Sequence, residues 1–467
     1  MNKPPVRRVH FLGICGTAMG AVAVAMKEQG WSVSGSDNQA YPPMSDFLAA
    51  RGIEVCAGYR PENLPKEEEA LIVVGNAISR GNPEVEAVLN RKLNYASLPE
   101  VLRAHFLRGR HNIVISGTHG KTTTTSMTAW ILEYAGKNPS YLIGGLPANL
   151  GQGACLRDPK TSRHFVIEGD EYDTAFFDKR SKFLHYLPEL LVVNNIEFDH
   201  ADIFENLDAI KLSFRRLLNI VPTEGMVLIN GDDPNCLDVA KTCPAPIVEV
   251  GFSENAANRI LHPWQKDGHC GFELFGEQFE LPMSGEHNLR NAAMAVCATH
   301  FYGIPTSVIR EALLKFQGIK RRQEVRGVVN GITIIDDFGH HPTAIRQTLE
   351  GLAQRFAGSR LWALFEPRSN TTRRAIFQHD LPPAFAAAYG VVIGEVNRAA
   401  DLAPAERLDA ERLVADLQKS GHPSFHEPSA DQIVEKLRPQ LQPGDVLVVL
   451  SNGAFDGLHG KLLAGLA

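Results

Sequence analysis

Ile115-Ser116-Gly117-Thr118-His119-Gly120-Lys121-Thr122-Thr123 begins as a β-branched strand, tightens into a glycine-flanked turn and ends in Lys-Thr at the start of a helical stretch. Such a turn cradles phosphate. Backbone N–H groups and a helix N-terminus face the anion, Lys121 adds a point charge, and the Thr122 hydroxyl suits Mg²⁺. Gly117, Thr118, His119, Gly120, Lys121, Thr122 and Thr123 are therefore candidate ligands of ATP. The general phosphate-loop pattern has a Gly where this chain has Ile115, so the loop is a shorter variant.

Downstream, Phe165-Val-Ile-Glu168-Gly169-Asp170-Glu171-Tyr172-Asp173 crowds carboxylates at the exit of an apolar strand. Like charges this close are costly unless a cation compensates them. Mg²⁺ fits, since it takes carboxylates, water and phosphate oxygens. Asn194-Asn195-Ile-Glu197-Phe-Asp199-His200 ends another strand, and a strand-end Asp-His beside an acidic cluster reads as a further metal ligand. The metal set is then Thr122, Glu168 and His200.

Four further motifs have two readings each. Gly13-Ile-Cys15-Gly16-Thr17-Ala18-Met19-Gly20 follows the first strand and opens a helix, with Asp37 at the end of the second strand. Glycines there admit a pyrophosphate and the acid meets a ribose hydroxyl. The spacing is not G-x-G-x-x-G, so tight strand–helix packing without a ligand is the alternative. Gly285-Glu286-His287-Asn288-Leu289-Arg290-Asn291 either caps a helix or reads adenine edges. Lys320-Arg321-Arg322 is either a phosphate clamp or a basic linker. Asp336-Asp337-Phe338-Gly339-His340-His341-Pro342 follows it, and no His or Cys at zinc spacing accompanies the His pair.

The elements that must position these residues alternate strand and helix, the pattern of parallel sheets. Val9–Ile14, Ser32–Gly35 and Leu71–Val74 are strands of a first segment. Ile113–Ser116, Phe165–Ile167, Leu190–Val193 and Met226–Ile229 belong to a second, and Ile332–Ile335, Leu361–Phe365, Gly390–Ile393 and Val446–Leu450 to a third. His262–Met283 alternates apolar and polar residues around a Gly, as a hairpin of a smaller antiparallel sheet does. Boundaries near 110 and 317 divide the chain into 1–110, 111–317 and 318–467.

With 467 residues the chain exceeds one ordinary core. A net charge of −6 argues against a nucleic-acid partner, and no apolar run is long enough for membrane insertion. Seven scattered Cys without a C-x-x-C read as reduced thiols. The basic stretch Met1 to Arg8 leads into a strand rather than an apolar signal core, so a cytoplasmic protein is expected.

Together the motifs resemble the Mur ligase family, ATP-dependent amide-forming enzymes of peptidoglycan synthesis. Gly-Thr-His-Gly-Lys-Thr-Thr, the acidic strand exit, Asn-Ile-Glu-x-Asp-His, Gly-x-His-Asn-x-x-Asn and Asp-Asp-x-x-His-His-Pro occur in family order. The resemblance implies an α/β protein of three domains: an N-terminal Rossmann-like UDP-binding domain, a central P-loop ATPase-type α/β domain with an additional small antiparallel sheet, and a C-terminal Rossmann-like domain for the incoming amine. It implies ATP and Mg²⁺ as cofactors, and a carboxylate activated as an acyl phosphate. Lys121, Glu168, His200, His340 and His341 would be catalytic. His287, Asn288, Asn291, Arg322, Asp336 and Asp337 would join the loop residues around the nucleotide. Several family members brace a second metal with a carbamylated lysine; Lys211 is the Lys of the following helix, in a register that does not suit that part.

The first loop, Ser36-Asp37 with Tyr41-Pro42-Pro43-Met44, Phe365 to Thr371 and Ser451-Asn452-Gly453 resemble the branch that joins UDP-N-acetylmuramate to the murein tripeptide L-Ala-γ-D-Glu-meso-diaminopimelate. The alternative is the branch that adds free L-alanine. Gly13, Cys15, Gly16, Thr17, Ala18, Met19, Ser36, Asp37, Asn76 and Ala77 would hold the sugar nucleotide. Arg368, Asn370, Thr371, Arg373 and Asn452 would read the peptide, since Arg pairs carboxylates bidentately, or would shape the C-terminal core. A monomer or weak dimer is expected.

Overall fold

The computed structural model describes residues 7–38, 40, 44–66 and 70–467. The first six residues of the basic stretch, and Tyr41-Pro42-Pro43 of the motif named above, lie outside these.

Apolar runs such as Leu71–Val74, Leu190–Val193 and Val446–Leu450 are strands with both faces buried or nearly so, the mark of parallel sheets covered by helices on each side. Among the described residues they build three large sheets. The first, all parallel, has the order Glu54–Ala57, Ser32–Asp37, Arg8–Leu12, Leu71–Val74, Tyr95–Ser97. The second has eight strands, with His111–Ser116 between Leu190–Val193 and His164–Gly169. The third has the order Glu324–Val329, Ile332–Asp337, Val446–Leu450, Leu361–Phe365, Gly390–Ile393, Ser424–His426.

The second sheet's register sets up the chemistry. Ser116 lies level with Gly169 on one side and Val193 on the other. The phosphate loop, the acidic exit and the Asn-rich motif therefore emerge side by side from one sheet edge, at the carboxyl ends where α/β folds bind ligands.

Two stretches differ from expectation. Residues 262–283 form a three-stranded antiparallel sheet, Leu261–Lys266, His269–Leu274 and Glu277–Leu281, rather than one hairpin. The third sheet opens with an antiparallel strand, Glu324–Val329, that alternation does not reveal because its residues are mostly half-buried or exposed. Its turn, Asn330-Gly331, carries positive φ at both residues, the Asn-Gly hairpin signature.

The helix Lys121–Tyr134 buries a run of Thr and Ser. The hydroxyls of Thr125, Ser126 and Thr128 donate to the carbonyls four residues back, at 2.6–2.8 Å, which removes the cost of burying them. The helix can then lie buried between the central sheet and the helix Glu286–Phe301, with Met127, Ala129, Ile131 and Leu132 in the core beside these hydroxyls.

In the first sheet, Gly35 lies level with Phe11. A Cβ on Gly35 would meet Ile14 Cδ1 at 2.6 Å and the Phe11 carbonyl oxygen at 2.7 Å. Gly35→Ala is expected to destabilise this sheet by about 1–3 kcal/mol through overpacking. Urea unfolding followed by Trp31 fluorescence would check it.

Candidate active site between the central and C-terminal sheets

A cleft of about 670 Å³ is lined by the phosphate loop, the acidic exit, the start of the helix Glu286–Phe301 and the 319–348 segment. The loop is templated by the segment after Leu190–Val193. Asn195 pairs with the His119 peptide on both sides, accepting from its N–H at 2.7 Å and donating to its carbonyl at 3.2 Å. Asn194 donates to Thr124 Oγ1 at 3.0 Å, and Glu197 N–H to Thr118 Oγ1 at 2.8 Å. Gly120 has φ +78, and a Cβ there would sit 2.3 Å from Asn291 Oδ1. Only glycine meets both demands.

Lys121 is folded back on its own loop. Its Nζ donates to the Gly117 carbonyl at 2.6 Å and to both Glu171 oxygens at 3.1–3.2 Å. His200 Nε2 lies 2.9 Å from Glu171 Oε1. Burial opposes the charge on all three. The Lys121 and His200 cations nonetheless pull Glu171 down to about 2, while Glu171 raises both Lys121 and His200. Glu168 lacks such a partner. It accepts from Thr122 Oγ1 at 2.9 Å and from the Gly144 amide at 2.7 Å, yet burial and neighbouring Asp170 push its carboxyl up. A buried anion short of counter-charge, with a hydroxyl bonded to it, fits a hard cation such as Mg²⁺. His200 is tied to Lys121 through Glu171 and lines the same cleft as Thr122 and Glu168.

Asp199 Oδ1 accepts from the His200 amide and from Thr371 Oγ1, each at 2.7 Å. His340 Nε2 lies 3.8 Å from Asp199 Oδ2. Burial raises the Asp199 carboxyl, but the nearby His340 ring and the charge of His200 hold it well below the ordinary carboxylate range. Asn370 donates to Asp202 at 2.8 Å, and Ala201 N–H to Thr371 Oγ1 at 3.2 Å. The C-terminal sheet is thus docked on the 199–202 loop. His341 caps the helix Pro342–Arg355 through Nδ1. Arg322 reaches Thr122 Oγ1 at 3.5 Å and stacks on Phe338 with Arg321.

Of the other expected residues, His287, Asn288, Asn291 and Asp337 line the cleft, and Asp336, Arg368, Arg373 and Asn452 are outside its lining. Asn291 faces Gly120 and Thr124 beneath the loop, and Asn288 donates to the Ser284 carbonyl. His287 is half-buried, and desolvation together with the charges of Arg290 and Arg322 pushes it down to about 4. Asp336 pairs with Arg321 and His459, while Asp337 accepts from the amides of Gln323 and Gly339. Arg368 pairs with Glu366 and lies over Gly453; Arg373 pairs with Asp401. Asn452 follows Ser451, whose hydroxyl bonds Glu366. Lys211 pairs with Asp238 at 3.5 Å.

In the first sheet the Gly13 amide donates to the Ser36 carbonyl at 2.8 Å, and Cys15 N–H to Asp37 Oδ2 at 2.9 Å. Gly16, Thr17, Asn76 and Ala77 are exposed around this loop, and Ala18 is half-buried. Met19 belongs to the hydrophobic core instead, because the helix turns its side chain under Gly75. The sequence alone assigns no role to Glu171, Glu197 or Asp199. Their signal is the crowding of acids at two adjacent strand ends.

Three family descriptions match in series: Mur ligase family, catalytic domain, over residues 8–110; Mur ligase middle domain over 115–299; and Mur ligase, glutamate ligase domain, over 321–453. The chain is 42% identical to the UDP-N-acetylmuramate–L-alanyl-gamma-D-glutamyl-meso-2,6-diaminoheptandioate ligase of Haemophilus influenzae, over 98% of this chain and 99% of that one. It is 32% identical to the UDP-N-acetylmuramate–L-alanine ligase of Anaeromyxobacter dehalogenans, over 98% and 97%. A crystal structure of a murein peptide ligase from Psychrobacter arcticus superposes with a TM-score of 0.71 at 35% identity, covering 98% of each chain.

The Glu171 pair has a pH signature. His200 is raised in the folded state, so the pair's stabilisation is complete below the ordinary His value of about 6.5 and is lost as pH rises through the raised value. Glu171→Gln is expected to lower the His200 pKa, read by NMR titration of the ring proton, and to flatten this pH dependence of unfolding.

Proposed function

The chain belongs to the Mur ligase family, and from that premise we propose that it joins the lactyl carboxylate of UDP-N-acetylmuramate to the L-Ala amine of L-Ala-γ-D-Glu-meso-diaminopimelate, in murein recycling. It is an ATP-dependent ligase forming a carbon–nitrogen bond. The observation that carries the tripeptide reading is the 42% identity, end to end, to the tripeptide-adding relative, against 32% to the alanine-adding one. Residues 1–110 would hold the sugar nucleotide, 111–317 the ATP and 318–467 the peptide, in the cytoplasm and as a monomer or weak dimer.

The lactyl carboxylate attacks the γ-phosphorus, the bond to the bridging oxygen breaks, and ADP leaves with an acyl phosphate formed. The amine then attacks the acyl carbon, loses a proton and expels phosphate. Carboxylate and phosphate repel, so the work is largely electrostatic. Lys121 would leave Glu171 for the phosphates, and Arg322 would approach them from the other wall. Mg²⁺, held by Thr122, Glu168 and His200, would supply positive charge for the same purpose. His340, oriented by Asp199, is suited to take the amine proton. Arg368 and Asn370 lie on the C-terminal wall, where the peptide's carboxylates would arrive.

Phosphate release with ATP, Mg²⁺ and UDP-N-acetylmuramate should be fast with the tripeptide and slow with L-alanine; the reverse order would assign the chain to the alanine-adding branch. Lys121→Ala should lower kcat by about 10²–10³ with the fold intact by circular dichroism.

A further inference from the structure

His119, Glu197 and His341 meet where the phosphate loop faces the C-terminal sheet. They arrive from three elements: the loop itself, the segment after Leu190–Val193, and the cap of the helix Pro342–Arg355. No partner at zinc spacing accompanies His341 in sequence, but the fold brings two from far away. One ligand atom from each lies within 4.8 Å of the others. His119 Nε2 and His341 Nδ1 each stand 3.4 Å from Glu197 Oε2. That is long for a charge-assisted hydrogen bond, which closes to about 2.7–2.9 Å. It matches the edge of a tetrahedron drawn around a metal with bonds of about 2.0–2.1 Å, which is about 3.4 Å. The two rings are 4.5 Å apart, centroid to centroid.

The surroundings suit a metal as well. His341 Nε2 donates to the Phe198 carbonyl at 3.2 Å, which leaves Nδ1 as the acceptor nitrogen, used here by the Thr343 amide. Metal-bound histidines are oriented by such outer carbonyls. Burial pushes the His341 ring down to about 3, so it is neutral; burial opposes the Glu197 charge, but the nearby His119 and His341 rings and the Thr343 hydroxyl hold its pKa at about 2. A neutral imidazole and an ionised carboxylate are the forms that bind metal.

We propose that His119, Glu197 and His341 form a transition-metal site with three protein ligands and one open position, suited to Zn²⁺ or Co²⁺. Imidazole nitrogen favours such ions over Mg²⁺. The site shares no ligand with Thr122, Glu168 and His200. An ion there ties the C-terminal sheet to the phosphate loop. It must displace Thr343, whose amide lies 3.2 Å from His341 Nδ1 and whose hydroxyl donates to Glu197 Oε2 at 2.7 Å.

The test uses the full chain with Co²⁺ alone, so its outcome is independent of the ligase reading. The expected result is one Co²⁺ per chain with the intense visible absorption of tetrahedral cobalt, displaced by Zn²⁺. The band should persist in His200→Asn and weaken at least tenfold in His341→Asn and in His119→Gln. Asn at 341 keeps an acceptor for the helix cap, and position 119 lies on a separate element, so one folded variant suffices. No band in the wild-type chain, persistence in either folded variant, or loss in His200→Asn overturns the proposal.

Discussion

The cleft depends on a buried excess of negative charge. Glu168, Asp170 and Glu171 leave the strand His164–Gly169 together, and Lys121 and His200 neutralise Glu171 while leaving Glu168 in deficit. Burying ions rarely adds net stability, so the cluster is better understood as a store of unmet attraction. Lys121 is already charged, already desolvated and within a side-chain rotation of the loop it serves. On the proposed function, exchanging Glu171 for phosphate would cost little reorganisation, which is how preorganised sites work.

The second dependence is on docking. Neither sheet completes the cleft alone: Thr371 and His340 supply the partners of Asp199, Arg322 leans on Thr122, and Asn370 reaches Asp202. The connection between the sheets passes through Arg321 and Gln323, both at positive φ, a conformation that costs non-glycine residues about 1–2 kcal/mol each. Arg321 is held there by the carbonyls of Ser451 and Gly453 and by the Phe338 ring.

Much of this was legible in the amino-acid order. Strands with two apolar faces, such as Leu361–Phe365, announce themselves, and the loops that follow them carry the motifs. The parallel register could be inferred from alternation, and with it the meeting of Lys121, Glu168 and His200 at one edge. Contacts between sheets were not legible. Nothing local in Thr371 or Asn370 tells that they bind Asp199 and Asp202, and the joining of His119, Glu197 and His341 spans more than two hundred residues. The strand Glu324–Val329 was hidden because a bulge between Val325 and Gly327 interrupts its alternation, although Asn330-Gly331 marks its turn. Met19 shows the opposite case: a motif position is a position, and the side chain there can face inward to the scaffold.

His200 itself sits at φ +58, and its backbone is steadied on one side by Asp199 and on the other, through the Ala201 amide, by Thr371. The second support belongs to the other sheet. Amide exchange at Ala201 is consequently coupled to the separation of the two sheets rather than to the unfolding of either. That single proton is a clock for the open cleft, running on how often the molecule breathes and silent about how stable it is.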